Sequence, residues 1–322
     1  MKKFLAIILV VILALGVVAC KKEGPKKASL TMGTGGESGT YFAVGGVLAN
    51  VLNEKNPDTM SVNVVSTGGS ADNLQNMAFG IYQLATVQSD VMTYAYNGTR
   101  SFEQIGAVPN VRILAGLYAE TVQIVTTDPS IKTVADLKGK AVSIGAAGSG
   151  VYFNAIDVLG AYGLTEDDIK PTYQSFGDSA EALQDGQIDA AFVVAGAPTT
   201  AITSLAASKS VYLVSLDDEH IDALIEASPF YSKAVIPADT YGMPEDATTV
   251  AVSAVVIASN DVADVDVYNF LCGVYENLDD LAKVHDKANE LSLEFASSFV
   301  GVPYHAGAVQ YFADKGIEVP AE

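Results

Sequence analysis

The sequence predicts an α/β fold of two similar lobes with mostly parallel sheets. Three observations carry that reading. Short β-like runs alternate with helix patterns along the chain, one strand-turn-helix unit occurs twice, and two extended stretches are each longer than an ordinary strand.

The alternation begins at "SLTMG", which leads to a helix pattern over residues 40–53. "SVNVVST" leads to a helix around 73–79, and "YQLATVQ" to one around 90–96. Further on, "KAVSIGA" leads to 151–162 and "IDAAFVV" to 198–207. Strand-like runs each followed by a helix imply βα units, whose ligands bind outside the carboxyl ends of the strands. Residues 264–316 read as helices that close the first lobe.

The recurrence is visible when residue 38 is laid on residue 149. Ser38-Gly39 matches Ser149-Gly150, Tyr41-Phe42 matches Tyr152-Phe153, and Val47-Leu48 matches Val158-Leu159. The two extended stretches, "RILAGLYAETVQIVTT" (112–127) and "TTVAVSAVVIAS" (248–259), read as crossings between lobes. They place residues 29–118 and 250–322 in lobe 1 and residues 119–249 in lobe 2. Two bodies joined by two crossings can hinge around a ligand.

The chain opens MKKFLAIILVVILALGVVAC. Lys2 and Lys3 precede an unbroken apolar run over 4–19, shorter than the roughly 20 residues a spanning helix needs. That pattern fits a secretory signal over residues 1–19. Its end, Val17-Val18-Ala19-Cys20, resembles the lipobox of bacterial lipoproteins, in which the cysteine becomes the lipidated N-terminus. On that reading residues 20–28 are a polar tether, and the protein is extracytoplasmic and membrane-anchored. The other cysteine, Cys272, sits in an apolar helix pattern, so no disulfide framework or cysteine-based metal site can be built.

The formal charge of −20 becomes −22 once Lys2 and Lys3 are removed. Nucleic acid is thereby excluded as a partner, because binding it rests on neutralising phosphates. Nor does such a field draw anions from a distance. An anionic ligand would have to be held by local dipoles.

Four strand ends carry turns that could supply them: "GTGGESGTYF", "STGGSADN", "GAAGSGVYFN" and "VVAGAPTTA". Glycine lets backbone approach a ligand. Serine or threonine is expected to cap the next helix, and the helix dipole favours negative charge there. Tyr41 and Tyr152, just beyond two of these turns, are expected to wall a cleft. None of the turns completes a nucleotide motif, since "GTGGES" has Ser38 where the dinucleotide fingerprint needs glycine. The three histidines, His220, His285 and His305, form no metal-ligand spacing. The reading is therefore a binding protein without catalysis, cofactor or metal.

Two carboxylates lie at strand positions that could face a ligand. Asp90, in "TVQSD", either meets a ligand ammonium or caps a helix. Glu120, in "LYAE", either meets that ammonium or pairs with a hinge cation. The only arginines are Arg100 and Arg112, so a bidentate clamp on a carboxylate could come from nowhere else.

Taken together, "GTGGESGTYFAVGGVLANVLN", "VVSTGGSADNLQNM", "ATVQSDV", "LYAE", "IKTVADLKGKAVSIGAAGSGVYFNA", "LQDGQIDAAFVVAGAPTTAI" and "VPYHAGAVQYFADKGI" resemble, in order, the TAXI-type solute-binding proteins of TRAP transporters. The resemblance implies the type II fold of periplasmic binding proteins. It also implies capture of a small solute, usually a carboxylate and often glutamate-like, for delivery to a multi-span, ion-driven permease. A sensing receptor without transport is the alternative. The family's ligand-contacting turns fall on Gly35, Ser38, Gly39, Thr40 and Tyr41, then on Thr67, Gly68, Gly69, Ser70 and Asn73. They continue at Gln88, Ser89, Asp90 and Glu120, and in the second lobe at Ser149, Gly150 and Tyr152. One departure matters: Val151 stands where the family usually has threonine, which removes a hydroxyl from the second lobe's turn.

Overall fold

The computed structural model describes residues 27–321. The expected signal over 1–19, the lipidation site Cys20 and most of the 20–28 tether lie outside the described residues. No helix among these is long and apolar enough to cross a membrane.

Helices of seven or more residues are numbered here. The chain runs β1 (Ala28–Gly33), α1 (Thr40–Lys55), β2 (Met60–Val65), α2 (Ser70–Ala78), β3 (Leu84–Gln88), α3 (Ser89–Asn97) and β4 (Val111–Thr126). It continues through β5 (Ala141–Ser143), α4 (Val151–Ala161), β6 (Lys170–Thr172), α5 (Phe176–Gln184), β7 (Ala190–Ala195) and α6 (Thr200–Ala206). Then come β8 (Tyr212–Leu213), α7 (Asp218–Ala227), β9 (Ser232–Ile236), β10 (Ala247–Ser259), α8 (Asp264–Tyr275) and α9 (Ala306–Asp314).

The strands form one curled sheet in the order β2-β1-β3-β10-β4-β7-β5-β6. Its pairing pattern repeats. β1 lies parallel to β2 and β3, and β3 meets β10 antiparallel. Likewise β5 lies parallel to β6 and β7, and β7 meets β4 antiparallel. The recurrent strand-turn-helix unit read from sequence therefore opens two triplets of the same topology.

Between the triplets, β4 and β10 run side by side from Ala251↔Thr121 to Ser259↔Val111. Both strands are buried for nearly their whole length, which is why they read as long apolar runs. Cores divide along them. One cluster gathers side chains from Leu30 to Tyr118 and from Ala254 to Phe312, with Phe153 of α4 added from across the divide. Two smaller ones, centred on Phe192 and Val193 of β7, gather side chains between Val122 and Val252. The C-terminal helices α8 and α9 bury Phe270, Leu271, Tyr311 and Phe312 in the first cluster.

Across the divide the two halves touch. The Asp72 amide donates to the Gly148 carbonyl at 3.0 Å, and the Ala201 amide to the Ser38 carbonyl at 3.2 Å. The Thr40 hydroxyl donates to the Gly196 carbonyl at 2.9 Å. The Arg100 guanidinium grips Asp157 of α4 at 2.9 and 3.3 Å.

The capping expectation is corrected. The N-caps of α1, α2 and α4 are Gly39, Gly69 and Gly150, and no side chain caps any of these helices. Ser38 and Ser149 each stand one residue too early to cap, and Ser70 one residue too late.

Candidate functional site

Backbone carbonyls of a helix are satisfied at its start, but the first amides have no intrahelical acceptor. Five helices begin at one place in this molecule. Thr40 and Tyr41 of α1, Ser70 of α2, Val151 of α4 and Phe176 of α5 line a single cavity of about 70 Å³, together with Gln88, the N-cap of α3. The glycine caps Gly39, Gly69 and Gly150 line it too. With no Cβ at these caps, backbone stands at the cavity wall. At Gly69 the requirement is conformational as well, since its φ is +111°.

Each wall is held by its own hydrogen bonds. Ser66 Oγ donates to the Gly35 carbonyl at 3.1 Å, and Thr67 Oγ1 to the Thr34 carbonyl at 2.9 Å, tying the first two turns together. Beneath them, buried Asn73 donates through Nδ2 to the Thr34 and Thr86 carbonyls at 2.7 and 2.9 Å. In the facing turn, Gly145 at φ +93° leaves space that Ser149 and Val151 fill.

Two of the polar side chains that line the cavity are Ser149 and Glu120. Ser149 is buried, and its Oγ has no hydrogen-bond partner among the described residues. A buried hydroxyl left unpaired is costly. Glu120, in the middle of β4, is 1% exposed and accepts the Tyr41 hydroxyl on Oε2 at 2.6 Å. Burial pushes its carboxyl up to about 8, reinforced by Asp90 and opposed by the Tyr41 hydrogen bond and by Lys287.

Of the residues singled out in the sequence, the structure brings twelve to the cavity: Gly35, Gly39, Thr40, Tyr41, Thr67, Gly68, Gly69, Ser70, Gln88, Glu120, Ser149 and Gly150. Five do not line it. Asn73 braces the turns from below. Ser38 is half-buried beside Gly177 of α5. Ser89 begins α3, and its Oγ accepts from the Ser253 amide at 3.4 Å.

Asp90 belongs to a buried network between the halves rather than to the cavity. Asn154 of α4 donates to its Oδ2 at 3.0 Å and accepts from Gln88 Nε2 at 2.6 Å. Burial raises the Asp90 carboxyl to about 6. Tyr152 turns away, donating to Glu166 at 3.0 Å, so the second of the two tyrosines does not wall the cavity.

Neither arginine forms a carboxylate clamp there. Arg100 is on Asp157, and Arg112 Nη1 donates to the Pro109 and Val111 carbonyls. Glu120 is also no partner of a bonded hinge cation, because Lys287 bonds Glu290 and acts on Glu120 only from a distance.

The fourth predicted turn contributes differently from expectation. Val194 and Ala195 of β7 line the cavity, but the start of α6 does not. The turn before it presents the Gly196 carbonyl to Thr40 instead. Its place is taken by Ser175 and Phe176 in "QSFGDS", which the sequence reading missed. The missed signal was Ser175 three residues before Asp178, an N-cap whose Oγ does accept the Asp178 amide at 3.2 Å. Among the described residues, no group of three or more histidine, cysteine, aspartate or glutamate side chains is arranged to hold a metal ion.

The fold recurs in solved structures. The alkanesulfonate-binding protein SsuA from Xanthomonas axonopodis pv. citri, bound to MOPS, is 17% identical with a TM-score of 0.51, covering 91% of this chain and 92% of that one. A putative L-cystine ABC transporter structure from Listeria monocytogenes is 14% identical with a TM-score of 0.52, covering 84% and 98%. The ligand-binding component of an ABC-type import system from Staphylococcus aureus is 11% identical with a TM-score of 0.51, covering 92% and 94%. At such identities the likeness is one of fold, that of periplasmic binding proteins. The NMT1-like family profile matches residues 32–316, so the chain belongs to that family.

Proposed function

We propose that this NMT1-like protein is a solute-binding subunit that captures a small carboxylate or amino acid between two closing lobes. One observation carries the reading. Among the described residues the buried Ser149 hydroxyl has no partner, and Ser149 lines a cavity ringed by helix N-termini from both halves. Such a ring favours an anionic group. Residues 29–118 with 250–322 form one lobe and residues 119–249 the other, hinged at β4 and β10. No reaction is involved, and the work done is closure.

The order of motifs in the sequence supports assignment to the TAXI type, and hence delivery to a TRAP-type permease in the membrane. The apolar leader and Cys20 support export and a lipid anchor. The decisive experiment is small-angle scattering of purified protein with and without a solute that raises its melting temperature. The radius of gyration should fall at saturation. An unchanged radius would count against hinge capture. For the anchor, Cys20→Ser should release the protein from membranes or stall its processing, and membrane retention with normal cleavage would refute it.

A further inference from the structure

If the cavity is where solute is captured, its charges restrict which solute. Among the described residues, no lysine, arginine or histidine lines it. The nearby cations are committed elsewhere. Lys287 bonds Glu290 and lies 5.9 Å from the Tyr118 ring centroid, outside the lining. Arg100 is bidentate on Asp157. One acid does line the cavity, Glu120, with Oε2 taken by the Tyr41 hydroxyl and Oε1 without a hydrogen bond among the described residues.

A glutamate-like or other dicarboxylate solute would therefore place its second carboxylate in a buried site beside another acid and with no cation. Like charges sharing a dry site cannot both stay ionised. An ammonium, by contrast, gives Glu120 the counter-charge that burial demands. Apolar residues line the cavity too: Val151, Phe176, Val194 and Ala195. Size points the same way. One water needs about 10–15 Å³, so about 70 Å³ holds about five to seven water-sized groups.

We propose that the solute is a small zwitterionic amino acid with a short apolar side chain. Its ammonium pairs with Glu120 Oε1. Its carboxylate accepts from Ser149 Oγ and the first amides of α1 and α4, and its side chain meets Val151 and Phe176. The departure to Val151 then becomes part of the specificity, since it adds apolar wall where a hydroxyl would stand.

Titration calorimetry on the unaltered protein tests this with L-alanine, L-2-aminobutyrate and L-valine against butyrate, propylamine, L-glutamate and 2-oxoglutarate. At least one of the three amino acids should bind. The analogues lacking either charge should bind about a hundred-fold more weakly, because each leaves a buried partner unpaired. Glu120→Gln should weaken the amino acid by about a hundred-fold or more while the melting temperature of the ligand-free protein is kept or raised. Tighter binding of L-glutamate or 2-oxoglutarate, or no binding by any of the three amino acids, would overturn the zwitterion. Tight dicarboxylate binding with a fall in radius of gyration would do so and leave solute capture standing. Amino-acid binding that ignores both Glu120→Gln and Ser149→Ala would instead remove the cavity as the capture site.

Discussion

Residues 38–42 and 149–153 share four of five residues, and the two copies do different work. Each starts a helix behind a glycine cap at the end of the first strand of a parallel triplet. In the first copy Tyr41 points inward and holds Glu120, while Ser38 stays outside the cavity. In the second copy Tyr152 leaves for Glu166, while Ser149 is buried at the cavity with its hydroxyl unused. The position after the cap differs as well: Thr40 reaches across to the Gly196 carbonyl, whereas Val151 packs into its own lobe's core. A repeated motif therefore specifies a helix start and an approachable backbone. Its contribution to a site depends on what the rest of the fold brings beside it.

The sharpest break of this comparison lies in the paired caps. A Cβ at Gly150 would overlap the Gln88 amide oxygen from the other half, whereas one at Gly39 would meet Phe176 at 3.4 Å and the Gly36 carbonyl at 3.2 Å. Gly150 has an ordinary helical φ of −74°, so the substituted backbone is unstrained. Gly150→Val should abolish closure. Gly150→Ala should weaken solute binding by about five- to a hundred-fold, the range of about 1–3 kcal/mol of overpacking. Gly39→Ala should cost less than about ten-fold. Equal losses at the two glycines, by calorimetry, would show that the halves close less tightly at Gly150 than the contacts indicate.

The paired serines come next. Ser149→Ala should cost about 1.5–3 kcal/mol of binding, a charge-assisted hydrogen bond, or roughly ten- to a hundred-fold in affinity. Ser38→Ala should leave affinity unchanged. Neither should destabilise its helix, because neither serine is a cap. A loss at Ser38 matching that at Ser149 would mean that the first turn reaches the solute too.

The smallest effect sharpens the contrast in buried charge. Burial raises Asp90 to about 6 and Glu120 to about 8, against about 4 for unfolded carboxyls. For an acid raised on folding, its contribution to stability is fully present below its unfolded pKa. It is lost as pH rises through its folded pKa. The melting temperature of ligand-free protein should therefore decline between about pH 4.5 and 8. Asp90→Asn should flatten the part below about 6, and Glu120→Gln the part up to about 8, by a few degrees each. Parallel curves for wild type and both variants would contradict the burial of these carboxyls.

Much of this molecule was legible in its residues. Strand-turn-helix alternation, the two long crossings and the duplicated unit follow from local hydrophobic period and turn chemistry, which act over a few residues. Glycine turns at strand ends marked three of the walls, because close backbone approach needs glycine whatever lies opposite. The sequence could not say that Ser175 and Phe176 would displace the start of α6 from the cavity. That depends on how the turn after β7 swings to meet Thr40. Nor could it separate Tyr41 from Tyr152, or assign Asp90 to the network with Asn154 rather than to the cavity. Those outcomes are set by which side chain from a distant element occupies the space. Such pairings exist only once β4 and β10 have brought the two halves together, burying carboxylates that an extended chain would leave in water.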